Sequence, residues 1–252
     1  MVGLITGATS GIGKASAELF AKNGWNLILT GRRKDRLEAF STELQKKYKI
    51  KTLCLNFDVR NLKEVVKNID SIKGDWRNID LLLNNAGLAS GLSTIQDGNI
   101  EDWEVIIDTN IKGLLYMTRH IAPLLIEKNK GHIINVASLA GKQVYPNGNV
   151  YCATKFAVDA LSKAMRIDML PHGIRVTNIA PGLVETEFSI VRFKGDAERA
   201  KKTYENIKAL TAEDIADIIY WAASRPAHVN INDVVITPTA QANAYLVNRS
   251  TK

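Results

Sequence analysis

The sequence is poor in cysteine and histidine, and it has no long apolar run. Its 252 residues include two cysteines, Cys54 and Cys152, and four histidines at scattered positions. Two cysteines are too few for a disulfide framework, and the histidines lack the paired spacing of a metal site, so we expect no metal. No stretch of about eighteen consecutive apolar residues is present, so we expect no membrane-spanning helix. The opening residues lack the basic and apolar regions of a secretion signal, and we therefore expect a protein of the reducing cytoplasm.

Acidic residues are outnumbered by basic ones. Lysine and arginine number 33 against 26 aspartates and glutamates, which gives a formal net charge of +7. Such a balance suits nucleic acid, but it also suits an anionic cofactor and an anionic substrate. The densest basic run, residues 46–51, contains Tyr48 as its one aromatic residue and is typical of the solvated end of a helix. We therefore expect small anionic ligands and neither a nucleic-acid nor a membrane partner.

Short apolar segments alternate with helical patterns along the whole chain. The apolar segments run from residues 2–6 to residues 234–237, and they are apolar on both faces, which predicts an α/β fold with a covered parallel sheet. We predict one domain over residues 1–252, since no linker or repeat interrupts the pattern. Residues 101–128 predict one long helix, and residues 211–224 predict another with Thr211 as its N-cap. Residues 186–210, called the excursion below, are rich in charge and are predicted to be mobile and mostly helical.

A glycine-rich turn, Gly7-Ala8-Thr9-Ser10-Gly11-Ile12-Gly13, joins the first strand to the first helix. Glycines let the backbone approach a ligand, and a helix N-terminus offers free N–H groups and a favourable dipole to a phosphate. The spacing differs from the GxGxxG of dinucleotide sites, so it fits that fingerprint by physical analogy alone, and an ordinary tight turn is the alternative. We predict cofactor contacts from Gly7, Thr9, Ser10, Gly11, Ile12 and Gly13.

Two arginines follow the second strand. Dinucleotide sites for NAD carry an acid there that binds the ribose 2′-hydroxyl, whereas an arginine accommodates the 2′-phosphate of NADP. Here the strand over residues 26–30 leads to Arg32 and Arg33, and Asp35 comes only after them. This order favours NADP(H), with both arginines at the 2′-phosphate. The alternative is that they merely begin an exposed helix over residues 34–48.

Polar and small residues follow three further strands. Ligands of parallel sheets bind beyond the carboxyl ends of the strands, where these residues are expected to meet. We predict further cofactor contacts from Asp58, Val59, Asn85, Ala86, Gly87, Pro181, Gly182, Val184 and Thr186.

A tyrosine and a lysine stand four residues apart, at Tyr151 and Lys155, where a helix is predicted to start near residue 149. This spacing puts both side chains on one helix face. A neighbouring ammonium favours the phenolate and lowers the pKa of a tyrosine, so the pair can move a proton near neutral pH. The alternative is an amphipathic helix that exposes both residues by chance.

Six motifs occur along the chain in a fixed order: TGATSGIG at 6–13, NNAG at 84–87, Asn110, Ser138, YCATK at 151–155 and PG at 181–182, with 151 − 138 = 13 residues from the serine to the tyrosine. Together they resemble the short-chain dehydrogenase/reductase family. The resemblance implies a doubly wound (Rossmann) parallel sheet of about seven strands with helices on both faces. It also implies a homodimer or homotetramer, built partly from the helices that carry Asn110 and Tyr151.

The same resemblance implies a catalytic set of Ser138, Tyr151, Lys155 and Asn110. Tyr151 would exchange a proton with the substrate, and Ser138 would hydrogen-bond the reacting oxygen. Lys155 would lower the pKa of Tyr151 and hold the nicotinamide ribose. Asn110 would order a water that links Lys155 to solvent; a packing role is the alternative for this residue.

Segments 108–114, 181–189, 191–195 and 226–232 are similar to the NADP-dependent 3-hydroxy acid dehydrogenases, a group that includes serine and L-allo-threonine dehydrogenases. This narrower resemblance implies hydride transfer between NADP(H) and C3 of a short 3-hydroxy acid such as L-serine, L-allo-threonine or 3-hydroxyisobutyrate. A different reductase of the family, such as a 3-oxoacyl-carrier-protein reductase, is the alternative. A non-catalytic NADP(H)-sensing protein is a more distant one.

The excursion carries Arg192, a candidate for the substrate carboxylate. The planar fork of a guanidinium matches the two oxygens of a carboxylate, and Ser138 and Tyr151 already account for the reacting oxygen. The alternative is a surface arginine that pairs with Glu187 or Asp196, in which case Lys194 becomes the candidate.

Overall fold

The strands of the computed structural model, which describes residues 1–249, form one parallel sheet. Within those residues the strands are β1 (Val2–Ile5), β2 (Asn26–Gly31), β3 (Thr52–Asn56), β4 (Leu81–Asn84), β5 (Gly131–Val136), β6 (Ile174–Pro181) and β7 (Asp233–Ile236). Their order in the sheet is β3-β2-β1-β4-β5-β6-β7. The order reverses between β1 and β4, and ligands of doubly wound sheets bind in the crevice beyond such a reversal. The predicted fold class is confirmed.

Helices cover both faces of the sheet. They are α1 (Gly11–Lys22), α2 (Lys34–Tyr48), α3 (Leu62–Asp70), α4 (Ile100–Ile107), α5 (Leu114–Glu127), α6 (Asn149–Asp168), α7 (Phe188–Arg192), α8 (Ala197–Lys202) and α9 (Ala212–Ala223). Apolar residues of α1, α2 and α9 form one core cluster with one side of the strands. Those of α3, α5 and α6 form a second cluster with the other side. In the part of the chain that the structure describes, no helix is long and apolar enough to cross a membrane.

Alternation along each strand explains the two cores. On β4, Leu82 joins the cluster under α3, α5 and α6, whereas the next residue, Leu83, joins the cluster under α1, α2 and α9. Ile133 and Ile134 divide in the same way on β5. Successive side chains of a strand point to opposite faces, so a strand buried on both faces must be apolar throughout. Such continuously apolar segments are the sequence pattern from which the sheet was predicted.

The helix predicted over residues 101–128 is interrupted. Between α4 and α5 the backbone forms a π-helical segment, Asp108–Gly113, whose wider turn contains Asn110. Gly113 ends this segment where a Cβ would lie 2.7 Å from Cγ2 of Val59, so the helix approaches that residue more closely than a side chain allows. Single π-helical turns inside α-helices are frequent at functional sites. The predicted helix is confirmed, and the π-helical turn inside it was not predicted.

The ends of the excursion are joined by backbone pairing. Glu185 N donates to Leu210 O at 2.8 Å, and Leu210 N donates to Leu183 O at 3.0 Å. Between these points α7 has five residues and α8 has six, so most of the excursion is not helical, contrary to the prediction. Thr211 caps α9 as predicted, because its hydroxyl accepts from Asp214 N and the Asp214 carboxylate accepts from Thr211 N. The excursion is therefore a closed loop that returns the chain to a well-capped helix.

Candidate active site

A cavity of about 450 Å³ opens beyond the carboxyl ends of the strands, at the reversal of strand order. The residues predicted from the sequence line it together: Gly7, Thr9, Ser10, Gly11, Ile12, Arg32, Arg33, Asp58, Val59, Asn85, Ala86, Gly87, Ser138, Tyr151, Lys155, Pro181, Gly182, Val184, Thr186 and Arg192. Gly13 and Asn110, which were also predicted, do not line the cavity. Residues from distant parts of the chain therefore meet in one concave site, as the strand-end argument expects.

The glycine turn has a backbone that other residues would not adopt. Gly7 and Gly11 have φ values of +67° and +50°, in the left-handed region that glycine occupies without strain. A Cβ at Gly13 would collide with Gly7 O and with the Asn85 amide, so this glycine serves the close packing of α1 against the turn. The first turn of α1 carries no acidic side chain, and the Ser10 side chain does not cap it. This N-terminus therefore fits an anion such as a pyrophosphate.

Arg33 lies across the glycine turn. Its Nε and Nη2 donate to Thr9 Oγ1 at 3.1 and 2.9 Å, and Nη2 also donates to Ser10 Oγ at 2.7 Å. Arg32 is more exposed, and its Nη1 lies 3.7 Å from Asp58 Oδ2. Both arginines therefore line the cavity, and Arg33 contacts the turn directly. Their predicted contact with a 2′-phosphate fits this arrangement and stays a prediction.

Tyr151 and Lys155 are both buried at the start of α6. Lys155 Nζ donates to Val136 O at 2.9 Å and lies 5.9 Å from the centre of the Tyr151 ring. Ser138, beyond the end of β5, donates to Pro181 O at 3.3 Å and accepts from Ala140 N at 3.1 Å. These three side chains of the predicted catalytic set thus come from α6 and from the segment after β5 to line the same cavity.

Burial dominates the pKa values of this pair. It raises the pKa of Tyr151 above its ordinary value, against the lowering influence of Ser138 and Arg192. It also lowers the pKa of Lys155 to about 8. Contrary to the prediction, Lys155, whose ammonium donates to Val136 O, is not among the groups that lower the pKa of Tyr151 in this structure.

Asn110 connects the π-helical segment to α6. Its Oδ1 accepts from Leu88 N at 2.9 Å, and its Nδ2 donates to Leu88 O at 2.9 Å and to Thr154 Oγ1 at 3.0 Å. Thr154 in turn donates to Tyr151 O at 2.8 Å. The Asn110 side chain therefore links the segment that follows β4 to α6, the helix that carries Tyr151. The predicted role in ordering a water stays a prediction.

Arg192 lies directly against the tyrosine. Its guanidinium carbon is 5.3 Å from the centre of the Tyr151 ring, and its Nη2 donates to the Tyr145 hydroxyl at 2.6 Å. Glu187, the alternative partner, pairs instead with two other arginines, and Asp196 accepts from Arg199 N as the cap of α8. The surface-pairing alternative is therefore wrong for Arg192.

Lys194, the second candidate for a carboxylate, pairs with Asp102 at 2.9 Å, and its side chain is 60% exposed. It does not line the cavity. Arg192 is thus the better placed of the two cations.

Several cavity residues were not predicted from the sequence. Tyr145 holds Arg192, the Phe188 ring lies 5.6 Å from the Tyr151 ring, and Gln241 Oε1 accepts from Leu183 N at 2.8 Å. Gly182 lacks the Cβ that would overlap Gln241 Oε1, so the two segments fit together only with this glycine. No local pattern distinguishes these residues from ordinary loop residues, because each reaches the site through tertiary packing.

The sheet order, the glycine turn and the cavity wall that contains Ser138, Tyr151 and Lys155 define a dinucleotide-binding oxidoreductase. The chain belongs to the short-chain dehydrogenase family, whose model matches residues 1–197. It is 50% identical over 252 residues to the NADP-dependent 3-hydroxy acid dehydrogenase YdfG of Salmonella typhi, covering 99% of this chain and 100% of the relative. It is 45% identical over 248 residues to sulfoacetaldehyde reductase 2 of Chromohalobacter salexigens, covering 98% of each. The closed form of a serine dehydrogenase complexed with NADP⁺ matches with a TM-score of 0.93 and 46% identity, covering 98% of each chain.

Proposed function

We propose that this chain is an NADP-dependent oxidoreductase that transfers a hydride between NADP(H) and the C3 hydroxyl or carbonyl of a short 3-hydroxy acid. L-Serine, L-allo-threonine and 3-hydroxyisobutyrate are the substrates we consider. The observation that carries the proposal is the position of Arg192, whose guanidinium lies 5.3 Å from the Tyr151 ring in the same cavity. A substrate oxygen at Tyr151 therefore has a cation within reach for a carboxylate on the neighbouring carbons. The names of two relatives, one an NADP-dependent 3-hydroxy acid dehydrogenase and one a serine dehydrogenase, support the same class.

The cofactor side of the cavity suits NADP(H). The uncapped N-terminus of α1 and the turn from Gly7 to Gly13 would hold the pyrophosphate, and Arg32 with Arg33 would hold the 2′-phosphate. Asp58, Val59 and the segments at 85–87 and 181–186 would line the adenosine and nicotinamide halves. NADP(H), when bound, supplies or takes the hydride, and the protein provides orientation and electrostatics.

On the substrate side of the cavity, Tyr151 and Ser138 have different roles at the reacting oxygen. The Tyr151 hydroxyl gives its proton to the forming alkoxide in reduction and takes it back in oxidation. Ser138 donates a hydrogen bond to the same oxygen and stabilises the charge that develops there. Lys155 would hold the nicotinamide ribose, and burial lowers its pKa to about 8. Asn110 helps to hold α6 in position through Thr154, and it would order a water that links Lys155 to solvent.

Arg192 and Tyr145 would bind the acid group of the substrate. Arg192 offers a planar fork to a carboxylate, and the Tyr145 hydroxyl, 2.6 Å from Nη2, fixes the direction of that fork. The same donors suit a sulfonate, and one relative is named a sulfoacetaldehyde reductase. A short sulfonated aldehyde is therefore the second candidate substrate.

Assembly as a homodimer or homotetramer is also part of the proposal. Ile107 on α4, Leu115 on α5 and Phe156 on α6 are exposed apolar residues on the helices that the family resemblance assigns to an interface. Burying such residues against a second copy is favourable. The cytoplasmic location stays a prediction.

A substrate panel tests the proposal. The purified protein is assayed with L-serine, L-allo-threonine and 3-hydroxyisobutyrate in the presence of NADP⁺ or NAD⁺, and with sulfoacetaldehyde and an acetoacetyl thioester in the presence of NADPH. We expect turnover of at least one 3-hydroxy acid, with a clear preference for NADP⁺. Preferred turnover of the thioester would identify a 3-oxoacyl-carrier-protein reductase instead. NADPH binding without turnover of any compound would favour a non-catalytic NADP(H)-sensing protein.

A further inference from the structure

Glu187 joins the start of the excursion to the arginines beside the glycine turn. Its Oε2 accepts from Arg33 Nη1 at 2.7 Å, and its Oε1 accepts from Arg36 Nη1 at 2.9 Å. The sequence did not predict this arrangement, because 154 residues separate Glu187 from Arg33. An acidic side chain thus stands against the arginine that is proposed to bind the 2′-phosphate of the cofactor.

The donors of Arg33 are nearly all in use. A guanidinium has five N–H groups. In the described part of the chain, Nε and both N–H groups of Nη2 are directed to Thr9 and Ser10, and one N–H group of Nη1 is directed to Glu187. One N–H group is left, whereas a bidentate contact with a phosphate takes two. A phosphate at this corner therefore has to replace an existing partner of Arg33.

Glu187 is the partner that a phosphate replaces most readily. Its carboxylate and a phosphate are both anions, so their proximity is unfavourable, whereas the hydroxyls of Thr9 and Ser10 can themselves donate to phosphate oxygens. The pair is also partly solvated, with Arg33 40% and Glu187 44% exposed, and such pairs are weakly held. When Arg33 leaves, Arg36 still holds the other oxygen of Glu187, so the excursion keeps its attachment.

We propose that Glu187 competes with the 2′-phosphate of NADP(H) for Arg33 and thereby limits the preference of this enzyme for NADP(H) over NAD(H). The inference rests on the proposed contact between Arg33 and the 2′-phosphate. NAD(H) has a hydroxyl at the 2′ position and does not require Arg33 to change partner. Removing the charge of Glu187 therefore strengthens the binding of the phosphorylated cofactor alone.

Equilibrium binding tests the competition without turnover. Dissociation constants for NADPH and NADH are measured by the change in cofactor fluorescence for the wild type and for Glu187→Gln. Glu185→Gln is the matched control, since Glu185 is an exposed acid in the same segment. We expect Glu187→Gln to lower the Kd for NADPH by about threefold or more and to change the Kd for NADH by less than about twofold. The Glu185 variant should change neither constant by more than about twofold.

Two smaller ligands, which lack the nicotinamide, test the 2′-phosphate site separately from the rest of the excursion. Adenosine 2′,5′-bisphosphate should bind more tightly to Glu187→Gln than to the wild type, whereas adenosine 5′-monophosphate should bind equally to both. This measurement also decides the case if the variant alters the excursion enough to disturb the nicotinamide end. Thermal unfolding of both variants establishes that they are folded.

The outcomes separate the two proposals. If the wild type and Glu187→Gln both bind NADPH and NADH equally, the assumed contact of Arg33 with the 2′-phosphate is removed. A wild type that prefers NADPH, together with an unchanged or higher Kd for NADPH in Glu187→Gln, would overturn the competition alone. Equal tightening for both cofactors would also overturn it, because the effect would then be one of general charge.

Discussion

Replacing Arg192 by alanine removes a cation that lies over the Tyr151 ring and lines the cavity. Arg192 donates to the Tyr145 hydroxyl at 2.6 Å and packs over the Tyr151 ring at 5.3 Å, so its guanidinium is held at the substrate end of the cavity. Its attachment to the loop at residue 91 is partly through the backbone, since Gly91 N donates to Arg192 O at 2.9 Å. The alanine variant therefore keeps this backbone contact and loses the guanidinium.

The expected effect follows from one charge-assisted contact. Such a contact is worth about 1.5–3 kcal/mol, and the partly buried position of Arg192 favours the lower end, which corresponds to roughly a tenfold change in binding. We therefore expect the KM for L-serine to rise by about tenfold or more in Arg192→Ala. The KM of Arg192→Lys for L-serine should fall between those of the wild type and Arg192→Ala, because lysine keeps the charge and lacks the planar fork.

The assay compares a charged and an uncharged substrate. Steady-state KM and kcat are measured for L-serine and for serinamide, which lacks the carboxylate. Lys194→Ala is the control, because Lys194 pairs with Asp102 and does not line the cavity. We expect the Arg192 variant to lose affinity for L-serine only, and the Lys194 variant to resemble the wild type. An equal loss on both substrates would refute the reasoning and would mean that Arg192 supports the excursion.

Three further predictions concern the fold and the cofactor. Asn110→Ala removes three buried hydrogen bonds, two of them with the Leu88 backbone, and should lower the free energy of unfolding by about 2–4 kcal/mol in urea denaturation. Replacing Arg32 and Arg33 together by alanine should weaken NADPH far more than NADH in a binding titration, and equal weakening would contradict their assignment. Burial lowers the pKa of His132 from 6.5 to about 3, so the native state takes up its proton less readily than the unfolded state, and stability is lost as pH falls from about 6.5 toward 3. Between pH 7 and pH 5, His132→Gln should therefore lose about 2 kcal/mol less stability than the wild type.

Much of the fold and part of the site could be predicted from local patterns in the sequence. The apolar strands and the Thr211 cap follow from residues close together in the chain, and both are confirmed. The glycine turn could also be predicted, because a turn with left-handed φ values, such as those of Gly7 and Gly11, favours glycine at those positions. The strand-end rule then gathered side chains from distant segments without knowledge of their contacts.

Features that depend on tertiary contacts could not be read in this way. The π-helical turn arises where Asn110 reaches the Leu88 backbone, and neither residue signals the other in the sequence. Burial has a larger effect on the pKa of Tyr151 than the charges around it, and the spacing of four residues between Tyr151 and Lys155 does not reveal burial. Glu187 was considered as a partner of Arg192, five residues away, whereas the fold pairs it with Arg33 across the cavity.

The most direct test of the account is the rate of NADP⁺ reduction in the presence of L-serine or 3-hydroxyisobutyrate, measured for the wild type and for Tyr151→Phe. The phenylalanine ring can still pack against Phe188 and Arg192, but the hydroxyl that exchanges the proton is gone. We predict that the wild type reduces NADP⁺ with at least one of these acids. The variant should lose at least about a hundredfold in kcat while its Kd for NADPH stays close to that of the wild type. A variant with nearly normal kcat would contradict the role of Tyr151, and a wild type that oxidises neither acid would contradict the proposed substrate class.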